Sequence, residues 1–197
     1  LNDPEYVQYL KWLGNMVQGD FGTSIIRKGT PVSELILARL PNTLLLMLVS
    51  TILALIISIP FGVISAKKPY SKLDYGITFT SFIGLAIPNF WFGLILIMVF
   101  AVNLGWFPTG GVATLNSDFS IVDRIHHLLL PAFVLATADM AGLTRYTRSN
   151  MLDVLNQDYI RTARSKGFKE NRVLFKHGLR NALLPVITIF GLMIPSF

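Results

Sequence analysis

At 197 residues, 52% hydrophobic and only 14% charged, the chain holds far more apolar material than a soluble domain, in which about a quarter of residues are charged. The lack of cysteine excludes a disulfide scaffold and any cysteine-ligated zinc or iron–sulfur centre. A formal net charge of +6 points to nucleic acid only if the position of the charge along the chain has no other explanation.

The chain begins with Leu1 rather than Met, shows no signal-peptide pattern, and stops at Phe197 inside an apolar run. It is therefore expected to be the middle of a longer protein, short of membrane helices at both ends. Tyr6, Leu10, Leu13 and Val17 recur at helical spacing and predict a surface helix over Tyr6–Val17. Thr43–Ala66 carries no charge along its whole length, which is enough to span a bilayer core. Ile77–Val102 is likewise uncharged throughout and predicts a second span, tilted or bent through Pro88. Leu128–Leu143 is shorter and contains Asp139; Ala182–Phe197 is the fourth expected span. Apolar character on all sides suits helices in lipid, since a barrel strand alternates. The expected fold is an all-α, polytopic transmembrane bundle: an extracytoplasmic segment over 1–42, then a membrane domain over 43–197.

Charge orients the spans. Leu1–Asn42 balances to zero, and Lys67–Gly76 carries Lys67, Lys68 and Lys72 against Asp74, a net of +2. Asn103–His127 has a net of −1, and Arg145–Asn181 has nine Lys/Arg against Asp153, Asp158 and Glu170, a net of +6. Basic loops remain in the cytoplasm, so the loops alternate outside, inside, outside, inside. The positive charge is then mainly a topology signal, and nucleic acid is not an expected partner. Trp106 and Phe107 read as interfacial anchors, and Gly110–Gly111 as a turn.

Catalytic motifs are missing. No GxxxxGK[ST], HExxH or GxSxG occurs, so the chain has no P-loop for ATP. His126 and His127 are neighbours, about 100° apart on a helix, which disfavours a metal site. Asp139 is an intramembrane carboxylate and hence a pathway candidate, with pairing to Arg145 or to a neighbouring helix as the plainer alternative. Pro88 and Asn89, in the run Ile87–Phe92, place a break and an amide mid-span, suiting either pathway lining or helix packing.

In the last basic loop, Met151, Leu152, Leu155, Tyr159 and Ala163 recur at three- and four-residue steps. They predict one amphipathic helix ended by Gly167, followed by a second short helix around Glu170–Leu179. Such an element either lies on lipid headgroups or offers a knob to a soluble partner.

The stretch DYIRTARSKG, Asp158–Gly167, resembles the EAA loop of ABC importer permeases. Thr162 and Ala163 hold the places of the two small residues, and Gly167 is the glycine. Arg161 stands where Glu is the family form, and Leu184–Pro185 lies farther on than in the general pattern. The wider run from Gln157 to Thr188, with RLPNTLLL at Arg39–Leu46, IPNFWFGLIL at Ile87–Leu96 and LGWFPTGG at Leu104–Gly111, resembles the oligopeptide/dipeptide/nickel branch of these permeases. The resemblance covers nearly the whole chain in order. It implies a permease subunit in a prokaryotic cell membrane, importing di- or oligopeptides, with nickel or glutathione as alternatives. It implies a second permease subunit in a heterodimer, two ATP-binding cassette subunits and an extracytoplasmic binding protein. ATP would be bound by the partners, with no cofactor in this chain. The coupling contact would fall on Asp153, Asp158, Tyr159, Thr162, Ala163, Lys166, Gly167 and Phe168.

Two readings of other classes compete. An intramembrane enzyme would use Asp139 with His126 or His127, but no second intramembrane acid or nucleophile motif accompanies them. A membrane scaffold would use the basic loop to bind anionic lipid.

Overall fold

The computed structural model describes residues 3–115 and 118–193. They fall into two compact units, Leu1–Leu45 and Leu46–Phe197.

In the first unit, α1 spans Glu5–Val17, close to the expected Tyr6–Val17, with Tyr6, Leu10 and Val17 exposed. A turn follows, in which Thr23 and Pro31 form an isolated antiparallel bridge and Gly22 and Gly29 take positive φ. The next helix, α2, covers Val32–Lys67 and so starts well before the expected span at Thr43. Its added first turns include Pro41 and the charged Glu34 and Arg39, which a search for uncharged runs passes over.

The second unit is built around a seam of small side chains. Along α2, Ala54, Ser58, Gly62 and Ala66 are all buried, at steps of four that stack them on one helical face. Small residues let helix backbones approach where lipid provides no hydrophobic drive for association. Leu48, Ile52 and Ile56 on the opposite side remain exposed. The seam packs on α5, Ile121–Leu155. Ala54 clusters with Ala136, Leu143 and Val186, while Val63 and Ala66 cluster with Met151, Leu174 and Ala182.

Between them lie α3, Lys72–Ala86, and α4, Asn89–Leu96, the latter continued by a π-helical segment over Ile97–Asn103. The span expected at Ile77–Val102, tilted or bent through Pro88, is in the structure two arms inclined at 102°. Proline restricts its predecessor to extended backbone, and Ile87 adopts φ −82° and ψ 124°. Asn89 therefore opens a helix instead of sitting in the middle of one. Among the described residues, α2 and α5 are long and apolar enough to cross a membrane, and the bent pair makes a third if it is one span.

α5 extends the expected Leu128–Leu143 in both directions. Ser120 accepts from Asp123 N at its start. At its end the expected continuous helix Met151–Ala163 is broken: Asn156 caps α5, its Nδ2 donating to Leu152 O, and Gln157 turns extended. Hydrophobic spacing runs across this break without registering it. Two shorter helices follow, α6 (Asp158–Ser165) and α7 (Glu170–Arg172), then a π-helical segment over Val173–Leu179 and α8, Arg180–Met193. Residues 194–197 of the fourth expected span lie outside the described residues.

Candidate functional site

The basic loop is a folded module. In α6, Ile160 and Ala163 share a face one turn apart, which they bury against Val173 of the π-helical segment. Val154, Leu155 and Phe168 close this cluster. The other face, with Asp158, Tyr159, Arg161, Thr162, Ser165 and Lys166, is exposed.

Gly167 ends α6 through a Schellman motif. Its N–H donates to Arg164 O at 2.9 Å, and Phe168 N donates to Ala163 O at 3.4 Å. The motif needs a left-handed residue, and Gly167 has φ +78°. Reversal of the chain here sets Phe168 against Ala163, the apolar contact usual for this cap. Phe168 also stacks on His177, centroids 5.6 Å apart, under the Arg172 guanidinium at 4.7 Å. Over the turn, Arg164 grips Glu170 with two hydrogen bonds of 2.9 and 3.3 Å. The guanidinium holds the Glu170 carboxyl below its usual range, and the carboxylate raises Arg164 in return.

The structure distributes the expected contact residues over two surfaces. Asp158, Tyr159, Thr162, Lys166 and Gly167 lie together on the exposed side of α6, and Asp153 is exposed near the end of α5. Thr162 turns its hydroxyl back onto Asp158 O at 3.0 Å, and the Tyr159 hydroxyl accepts from Asn181 Nδ2 at 2.9 Å. Ala163 is only 6% exposed and, with the half-buried Phe168, forms the interior of the module. Ala163 thus packs inward, against Val173 and beside the Gly167 cap, and is not on the outward face.

A polar cluster below the module escaped the sequence reading, which counted Asp74 only as a loop charge. Asp74, in the first turn of α3, is 3% exposed. Its carboxylate accepts from Arg148 Nε at 2.7 Å and Arg148 Nη2 at 2.6 Å, from Tyr70 N at 2.8 Å, and from the Ser65 hydroxyl. Arg148 Nε also reaches Ser65 Oγ at 3.1 Å. Three helices, α2, α3 and α5, therefore meet at one ion pair. Tyr70, at φ +62°, aims its N–H at the carboxylate. No local signal could join Asp74 to a partner so distant in the chain.

The pathway candidates separate. Asn89 lines two clefts, one of about 470 Å³ with Thr80, Ser81 and Thr137, and one of about 620 Å³ with His127 and Pro131. Pro88 borders a third, largely apolar one. Asp139 is half-buried on α5, and neither Arg145 nor any other described side chain pairs with it. At the far end of α5, His126 Nε2 donates to Trp106 O at 2.6 Å and His127 Nδ1 to Asp123 O at 2.9 Å. Trp106 remains exposed, whereas Phe107 packs beside the His126 ring at 5.2 Å.

The chain is 92% identical over all 197 residues to an oligopeptide transport system permease protein of Bacillus subtilis, of which it spans 62%. It is 48% identical over 191 residues to a putative peptide permease protein of Brucella suis, covering 97% of this chain and 60% of that protein. It is 44% identical to a di/tripeptide transport system permease protein of Pseudomonas aeruginosa, covering 98% of this chain and 63% of that one. The chain thus spans about three-fifths of the length of these relatives. Residues 58–197, which hold most of the seam, the bent pair and the whole basic module, match the model of one family. The chain belongs to the family of binding-protein-dependent transport system inner membrane components.

Proposed function

We propose that the protein is a non-catalytic permease subunit of an ATP-driven importer of peptides, multi-pass in a prokaryotic inner membrane. The observation that carries this reading is the 92% identity, over the full chain, to a relative named as an oligopeptide transport permease. The basic module supports it: an exposed polar face set on an apolar base is suited to a groove on a soluble partner. A helix meant to lie on lipid would present its apolar side outward, whereas α6 turns Ile160 and Ala163 inward.

In this reading ATP is bound by two cassette subunits, which grip the exposed face of α6 around Asp158, Tyr159, Thr162 and Lys166. Their closure displaces α6. Because Ile160, Ala163 and Val173 pack as one body on the end of α5, the displacement passes into the membrane helices without being absorbed by a flexible loop. An extracytoplasmic binding protein delivers peptide, and a second permease subunit completes the pathway. Differential grip of the two partner states on α6 provides the energy that biases inward- and outward-facing arrangements.

The test is reconstitution of the full-length protein with its second permease, cassette subunits and binding protein in proteoliposomes. Accumulation of labelled peptide that requires both ATP and binding protein is expected. Uptake independent of the cassette subunits would overturn the reading.

A further inference from the structure

Two features of α5 bear on how motion at α6 reaches the bent pair α3–α4. α5 is continuous for 35 residues, about 50 Å at the helical rise, and the basic module is attached to one end. Along its length α3 and α4 pack on it through close approaches at Gly84 and Gly93 and through Phe92 beside Phe133, ring centroids 6.3 Å apart. A Cβ at Gly84 would stand 3.4 Å from Thr137 Cγ2, and one at Gly93 3.7 Å from Val134. Such contacts are non-directional van der Waals packing.

The Asp74–Arg148 pair is different in kind. Among the described residues it is the one side-chain hydrogen-bonded link between α3 and α5. Both carboxylate oxygens receive two donors each, so the group has no spare orientation. The planar guanidinium fixes distance and rotation together, which an ammonium does not. Beside it, Lys67 Nζ reaches Asn171 Oδ1 at 3.5 Å, placing the α2–α3 corner against the module itself. A buried ion pair is weak evidence for stability, because apolar residues of similar volume often serve as well. Its saturated, directional form is instead what a fixed register between moving helices requires.

We propose that Asp74 and Arg148 are positioning residues for transport. The clasp locks α3 to α5, so that displacement of α6 carries the 102° bend at Pro88–Asn89 with it. This rests on the permease reading above. The pair does not touch substrate; it sets whether work at α6 arrives at the bend.

These 197 residues hold no cysteine, so, once any cysteines elsewhere in the complex are replaced, paired spin labels at the exposed positions Phe79→Cys on α3 and Ser149→Cys on α5 can be placed in the full reconstituted complex. In an otherwise wild-type background the inter-label distance should stay narrow and unchanged between nucleotide-free and ATP-analogue-bound states. Arg148→Lys should broaden it and lower peptide uptake per ATP hydrolysed by about ten-fold, while the cassette subunits still bind. Asp74→Leu with Arg148→Met removes the charges together; it should regain thermal stability without regaining that ratio. A wild-type distance that shifts with nucleotide, or normal coupling in the apolar pair, overturns the proposal. If Arg148→Lys fails to insert, the apolar pair decides alone. Absence of ATP-driven uptake in the wild-type complex would instead remove the permease reading, and the label distances would still report on the clasp.

Discussion

Gly62 of α2 and Thr147 of α5 approach so closely that a Cβ at position 62 would stand 2.5 Å from Thr147 Cβ and 2.9 Å from Thr144 O. No side-chain rotation relieves either contact, since one atom is a Cβ and the other is backbone. Gly62→Ala should therefore force α2 and α5 apart and lower stability by about 1–3 kcal/mol. Adding Thr147→Ala should not restore it, because Cβ is retained; Thr147→Gly should do so in part. Thermal unfolding of the detergent-solubilised protein reads all three, and an unaffected Gly62→Ala would mean that the seam is looser than described.

The two small-residue positions at the base and end of α6 should respond differently from each other. Ala163→Glu places a carboxylate among Ile160, Val173 and Phe168 and should disorder the module, seen as rapid proteolysis between α6 and α8 and lost cassette binding. Gly167→Ala meets no atom within 4 Å, but it must hold φ +78°, at a cost of about 1–2 kcal/mol. Cassette binding should then weaken without proteolysis of the whole loop. Equal damage from both would argue against a separate buried role for residue 163.

Acid should loosen the Gly167 turn. Glu170 titrates below its usual range because Arg164 holds it, so the link is fully present above the ordinary glutamate value and is lost as pH falls through the depressed one. The Arg164 and Glu170 side chains are 43% and 48% exposed, which keeps the effect small. Amide exchange at Ser165–Lys169 should accelerate on acidification beyond its intrinsic rate in wild type. In Glu170→Gln it should be elevated already at neutral pH, with no further acid step.

Asn89 offers the pathway test. Asn89 opens α4 at the bend and lines two clefts, and substitution there separates a contact with peptide from helix packing. Asn89→Leu should raise the apparent KM for peptide while insertion and basal ATP hydrolysis remain at wild-type levels. Unchanged uptake kinetics would assign Asn89 to packing.

Much of this protein was legible in its residues. Long uncharged runs identified membrane helices, because a bilayer leaves a one-dimensional record of apolar length. The charge of 145–181 marked the basic loop, and Gly167 marked the end of α6, because left-handed backbone selects glycine locally. The 102° bend at Pro88 was half legible: proline announces a break but not its angle, which depends on what each arm packs against. The inward turn of Ala163 and the break at Asn156 were not legible, since apolar spacing records that a face is buried and not by what. Least legible was Asp74. In the sequence it is one acid in a basic loop, and only the tertiary structure brings Arg148, from a helix far along the chain, to meet it. Apolar length and turn chemistry act on neighbours in the chain, so sequence alone determined them; partners in a three-helix clasp are chosen by packing, which only the folded arrangement decides.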